Sequence, residues 1–441
     1  MLIQNQTVKN TQNVVISNKT QGVARFQPKN DTINIESSFI NKKPLVDRKI
    51  IKENQNINQF FDEISNQIFP NSPASHGLSK LLQMGYVSLS SNAYANLKNP
   101  KSAIGIELDS KKTAAQHCAM LEEHIKNGAG VGINFSKFQN PIEEIKRINT
   151  YFKHREPNLN RPPAGIALLN IDHPKIMEFI SLKDSADYKN WCFDLSVVID
   201  DDFLRKADNG ENISLTDGST INAKEIYSKL LDSISKSGEP GIIFSNNKNF
   251  ICDSCAASEL QPNEGLNLAQ INLSRFYNSK TKNIDYEFLS QSANVLSSAL
   301  QKIAPNGFVS ILGYQDLLNQ MGLNYGSKEA LVILENCLKT IKKQTSANNL
   351  RMAISPSGLT SRLLKTTPSI EPLNNPSATY WDEIETMAVA QKYLEGGISK
   401  TITLKKHHTI QDIDLIIKQC QAKNIKGISL FPYDKISHTK L

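Results

Sequence analysis

From about residue 112 the chain alternates two hydrophobic rhythms. Residues 112–127 (KTAAQHCAMLEEHIKN) set Cys118, Leu121 and Ile125 at helical spacing and stop at Gly128 and Gly130, after which GVGINFS has the apolar run of a buried strand. AGIALLNI predicts another strand, and Asp172 is placed to cap a helix that begins HPKIMEFI. FDLSVVI (193–199) predicts a further strand. Asn222 with Glu225 gives a capping-box-like start to a helix bearing Ile226, Leu230 and Ile234, which ends at Gly238 before the strand GIIF. Helices at about 285–303, 314–321, 327–343, 378–395 and 410–422 then interleave with strands at 307–313, 350–354, 399–404 and 426–431. Strands joined through helices are joined by crossovers, so the pattern predicts an α/β chain with a mainly parallel sheet covered by helices.

The first 60 residues break this rhythm. Seventeen of them are Asn or Gln, and their isolated apolar residues hold no period, so residues 1–50 are expected to form an arm that buries too little surface to offset its ordering entropy. Over the whole chain, 39% apolar and 21% charged residues describe an ordinary globular protein. No run approaches the roughly 18 apolar residues of a spanning helix, and MLIQNQTVKN lacks the core of a signal peptide, so a cytoplasmic protein without a membrane partner is expected. The net charge of +7 is spread along the chain, which argues against nucleic acid as a partner. Six cysteines are too few for a disulfide scaffold, and no metal-ligand spacing occurs.

Two segments have room for chemistry. The strand LRMAI runs into SPSGLTS (Ser355 to Ser361), small residues whose amides and hydroxyls suit a phosphate, although an ordinary strand-to-helix turn has the same composition. Between GIIF and NLAQINL lies a long aperiodic stretch containing C-D-S-C, Cys252 to Cys255, in polar surroundings that admit a redox or nucleophilic thiol. Cys118, Cys192, Cys337 and Cys420 lie on apolar stripes and read as small core residues.

At these residues the sequence resembles the large, catalytic chain of ribonucleotide reductase, especially its adenosylcobalamin-dependent class. The resemblance runs over roughly residues 70–434 through NGAGVGINFS, LNIDHPKIMEFISLK, GEPGIIFSN, NLAQINLSRF, MAISPSGLTS with SIEPL, and QKYLEGGISKTITL followed by KGISLF. It implies a ten-stranded α/β barrel with a central finger loop, preceded by a helical part over 51–110 and spanning 111–441. It also implies a cysteine at the loop tip that becomes a thiyl radical and takes the ribose 3′ hydrogen. An ungapped count back from NLAQINL makes that residue Cys255. The same count puts Asp253 at the family's Asn and Ala257 at the Glu that serves as base, so Asp253, or Glu259 in another register, has to replace the base. By the resemblance, Ser102, Ser357, Gly358 and Ser361 hold the ribonucleotide substrate, while Asp109 and Arg161 contact a nucleotide effector. Adenosylcobalamin is the implied cofactor and a homodimer the implied assembly.

Several family features are replaced. The two reducing thiols fall on Ala103 and Leu266, the effector loop reads NRPPAG with Pro162 and Pro163 where the family keeps glycines, and no counterpart of the C-terminal redox tail or of the ATP-binding activity domain is expected. Two readings follow. In one, the chain reduces ribonucleotides through the Cys255 thiyl. In the other, it is a catalytically degenerate nucleotide-binding homologue with a regulatory or scaffolding role.

Overall fold

The structure is a computed structural model that describes residues 39–159, 161–184, 191–373, 375 and 377–432. Most of the expected arm lies outside the described residues. Its last part does not follow the composition: Lys43–Asp47 is a short helix, and Ile40, Leu45 and Ile51 are buried. The few apolar residues there suffice because they pack on an existing surface. Helices Ile57–Ile68 and Pro73–Gln83 follow, capped by the Asn56 and Ser72 side chains, and pack through Phe60, Phe61, Leu78 and Leu82.

Strands Ala103–Ile106, Gly130–Asn134, Gly165–Asn170, Phe193–Ile199 and Gly241–Phe244 form one parallel set. Leu268–Asn272, Phe308–Leu312 and Arg351–Met352 are parallel to one another, as are Thr401–Leu404 and Gly427–Pro432. The sets meet at two antiparallel seams. Gly265–Leu266, which runs on into Leu268–Asn272 after Asn267, pairs with Ala103–Ile104, and Gly427–Ile428 pairs with Ile242–Ile243. A lone parallel bridge, Ile354 to Ile398, spans the remaining gap. Counting the strand interrupted at Asn267 as one, ten strands stand around a ring. The fold is the expected α/β barrel, closed at that last gap by a single bridge instead of a ladder.

The predicted elements recur with small shifts at their ends, as at Tyr286–Ile303, Tyr314–Met321 and Ile410–Ala422. Two cap assignments differ. The helix after Asp172 is only Ile176–Ile180 and starts at Lys175, whose amide donates to His173 Nδ1 at 3.0 Å, while a carboxylate oxygen of Asp172 lies 2.9 Å from Lys248 Nζ. Asn222 does cap Ala223–Ser237 by accepting from the Lys224 amide, without a reciprocal bond from Glu225. Reciprocal boxes form instead at Thr113 with Gln116, Thr379 with Asp382 and Thr409 with Asp412.

Candidate active site

The long aperiodic stretch is a hairpin-like loop threaded through the barrel. Cys252 bridges Glu259, the Leu260 amide donates to Ile251 O at 2.9 Å, and the Asp253 amide donates to Ser258 O at 3.2 Å. Barrel side chains hold its incoming leg: Asn134 Nδ2 donates to Phe250 O at 2.9 Å and Asn170 Nδ2 to Lys248 O at 2.8 Å. The glycine-rich strand makes room for it. A Cβ on Gly132 would lie 1.9 Å from Cys252 O, and one on Gly130 would lie 2.2 Å from Ser254 Oγ. These glycines are therefore required by the loop's close approach, a reason that in the sequence lies behind the helix-stopping role of Gly130.

At the tip, Asp253 is buried and ties the turn together. Its carboxylate oxygens accept from the Cys255 amide at 2.9 Å and the Ser258 amide at 2.7 Å. Burial raises its pKa to about 6 against the pull of those amides. Ala257 is fully buried, its carbonyl taken by the Gly397 amide, and supplies no proton-transfer group. Glu259 is exposed and accepts from Asn247 Nδ2 at 2.9 Å.

Cys255 is half-buried, and burial with the nearby Asp253 charge pushes its thiol up to about 12, partly opposed by the Ser254 hydroxyl and by Arg161. At neutral pH the sulfur keeps its hydrogen. Cys252 is fully buried among Ile166, Leu168, Val198, Ile243 and Phe250, and its thiol is likewise driven up. Both thiols are free, and neither is disposed to act as a thiolate. Beside Cys255 lies a cavity of about 40 Å³, room for a few waters, bordered by Ser196, Ser399, Lys400 and Ser429. Lys400 is fully buried. Burial works against its charge, but Glu371 at 2.7 Å and Glu383 more than offset that. Pattern reading passed over this lysine, whose one signal is a cation at the start of an apolar strand.

The expected substrate residues are spread along one side of the barrel. Ser102 leads into the strand Ala103–Ile106, and its buried hydroxyl has no partner among the described residues. Ser357 has a left-handed backbone (φ 50°) and accepts from Gln270 Nε2 at 3.1 Å. Gly358 opens the helix Gly358–Leu364, and the Ser361 hydroxyl donates back to Gly358 O. None of these borders the cavity beside Cys255. Gln270, which sequence reasoning missed, shares a strand face with Leu266 and Leu268, which pack with Leu260 of the finger loop. Its Oε1 is buried and unpaired, as are Asn267 Oδ1 and Ser258 Oγ. Such atoms are costly to leave unmet, so this wall of the barrel is suited to a polar ligand.

Ala103 and Leu266, which stand at the positions of the family's reducing thiols, are direct cross-strand partners and pack with Leu260, Leu268, Phe308 and Ala353. Apolar contact occupies both positions. Asp109 follows the carboxyl end of Ala103–Ile106, whereas Arg161 precedes the amino end of the parallel strand Gly165–Asn170, so the two expected effector residues stand at opposite ends of the sheet. Asp109 O is 2.9 Å from a ring nitrogen of His117, and Arg161 Nη1 donates to Gly128 O at 2.9 Å. Among the described residues no His, Cys, Asp and Glu group has the makings of a metal site, and no helix is long and apolar enough to cross a membrane.

Residues 107–342, more than half of the chain, match the family described as ribonucleotide reductase, barrel domain. The chain belongs to that family. Similar curated proteins include the vitamin B12-dependent ribonucleoside-diphosphate reductase of Thermoplasma acidophilum, 28% identical over 268 residues, which cover 50% of this chain and 35% of that protein. The protein of the same name from Mycobacterium tuberculosis is 21% identical over 395 residues, covering 62% and 57%. This ribonucleotide reductase family member thus spans between about a third and three fifths of the length of these relatives. Among solved structures, the class Id ribonucleotide reductase alpha subunit of Actinobacillus ureae superposes with a TM-score of 0.72 over 91% of this chain and 99% of that one, at 15% identity. At that identity the likeness speaks for the fold.

Proposed function

We propose that the chain is the radical-bearing part of a ribonucleotide reductase, with Cys255 as its hydrogen-abstracting thiyl. The observation that carries the reading is a protonated thiol held at the tip of a loop inside the barrel. A hydrogen-atom carrier has to keep its S–H, and a pKa near 12 keeps it where a nucleophile would need the thiolate. Once Cys255 has given up its hydrogen atom to an external radical, which becomes the closed-shell R–H, the sulfur radical takes the hydrogen from ribose C3′: the S–H bond forms, the C3′–H bond breaks, and the unpaired electron moves to carbon. Loss of the 2′-hydroxyl as water then requires two electrons and two protons from a dithiol. With Ala103 and Leu266 in the thiol positions, that dithiol is external.

Ser102, Ser357, Gly358 and Ser361 are proposed to hold the nucleotide, joined by Gln270 with its unpaired carbonyl. Asp253 serves here as a positioning residue, because its oxygens are engaged in presenting Cys255. A nucleotide effector and a homodimer belong to the same reading. One effector molecule on a single chain would meet Arg161 or Asp109, not both. The names of the relatives make adenosylcobalamin the radical source to test. A corrin ring does not fit a cavity of about 40 Å³, so the group would have to meet Cys255 from outside that cavity.

Ala257, Ala103 and Leu266 favour a second reading, a nucleotide-binding homologue without turnover. Incubating the protein with each ribonucleotide, adenosylcobalamin and dithiothreitol separates the two. Deoxynucleotide formed by the parent and absent with Cys255→Ser supports the reductase. Nucleotide binding without product supports the homologue.

A further inference from the structure

A second cleft, of about 260 Å³, lies where the helical part meets the amino ends of the first barrel strands. Its walls include Arg48, just past the helix Lys43–Asp47; Ser91 and Asn92 from the helix Ser91–Ala95; Lys126 and Gly128 at the end of Ala114–Lys126; and Arg161. Three cations and no carboxylate face it. Lys126 is paired outward with Glu122 at 2.9 Å, but among the described residues neither guanidinium has a carboxylate within 4.0 Å.

Among the described residues each arginine is aimed by a single hydrogen bond. Arg48 Nη1 donates to Ser91 Oγ at 2.5 Å, and Arg161 Nη1 donates to Gly128 O at 2.9 Å, out of the five N–H donors each guanidinium carries. Gly128, with φ +72°, leaves the space Arg48 occupies, since a Cβ there would lie 3.2 Å from Nη2. Burial and the facing Arg161 charge lower the Arg48 pKa to about 10. Two buried-facing like charges held together without an acid make an arrangement that an anion completes, and planar guanidinium forks match phosphate oxygens.

We propose that this cleft binds the phosphate groups of a phosphorylated small molecule through Arg48 and Arg161, with Lys126 at its rim. Arg48 comes from outside the barrel, so the site joins the helical part to the barrel and stands whether or not Cys255 does radical chemistry. The phosphate chain could belong to inorganic polyphosphate or to a nucleotide, and one experiment separates them. Isothermal titration of the full chain at low salt is run with tripolyphosphate, a nucleoside triphosphate and the parent nucleoside.

The first two are expected to bind and the nucleoside is not. Arg48→Gln and Arg161→Gln should each weaken binding at least tenfold, Arg48→Lys should weaken it less, and Cys255→Ser should leave it intact. Melting curves of the ligand-free variants should be unchanged or raised, because like-charge repulsion is relieved. Equal affinity for tripolyphosphate and nucleotide assigns recognition to phosphate alone, and tighter nucleotide binding adds a base contact. Absence of heat with both phosphorylated ligands, or affinities that neither arginine variant changes, overturns the proposal.

Discussion

Asp253 shows how one residue type was legible while its task was not. The sequence marks it as an acid in a polar loop, and the structure turns both its oxygens onto the loop's own amides. Its pKa is about 6 in the folded chain against an ordinary value of 3.8. The folded state therefore holds more protons than the unfolded one between those values, and stability from this residue falls as pH rises from about 4 to 6, by roughly 3 kcal/mol at most, and is level above that. Asp253→Asn should remove this slope. Urea midpoints of parent and variant between pH 4 and 7 are expected to show the parent's advantage shrinking with pH, and parallel curves would contradict the assignment. The polar loop marked Cys252 and Cys255 together as candidate thiols, and only the count back from NLAQINL chose Cys255 between them, since the pair has no periodicity to tell one from the other. Gln270 carried no signal at all, because an amide in an apolar strand reads the same whether it is bonded or free.

Helices and most strands were read from periodicity because their apolar faces pack on one core, as Leu289, Ala293, Leu296 and Leu300 do along Tyr286–Ile303. The finger loop has no such face. It is enclosed by the barrel on several sides, so its sequence shows neither a period of 2 nor of 3.6, and only its length marked it. What fits it in place is a property of its neighbours, above all the glycines opposite it. Gly132→Ala should destabilise the protein by about 3 kcal/mol or more, because the new methyl meets Cys252 backbone at 1.9 Å. Gly358→Ala, with nothing within 4 Å of the added atom, should stay within about 1 kcal/mol of the parent. Denaturant midpoints of the two variants check the contrast, and equal effects would mean that the loop does not lie against that strand.

At the scale of the molecule, alternation of elements implied a parallel sheet but not its closure; the ring came from the family resemblance, since pairing between distant strands leaves no local trace in sequence. The ring is uneven. Gly165–Asn170 and Phe193–Ile199 are matched over six residue pairs, whereas the last gap is held by the bridge between Ile354 and Ile398, with the Ile354 amide on Gly397 O and the Ser399 amide on Ile354 O. Residues Ile398 to Thr401 of that bridge also border the small cavity at Cys255. Opening the ring at this gap would break three backbone hydrogen bonds, the third from the Gly396 amide to Met352 O, and would widen the approach to the thiol from outside, a route for a group too large for the closed cavity. Hydrogen exchange reads it directly: the amides of Ile354 and Ser399 are expected to exchange at least tenfold faster than those of Leu168 and Val197, an opening free energy lower by about 1.4 kcal/mol or more. Equal protection at both places would leave Cys255 shut behind a wall as firm as the rest of the ring.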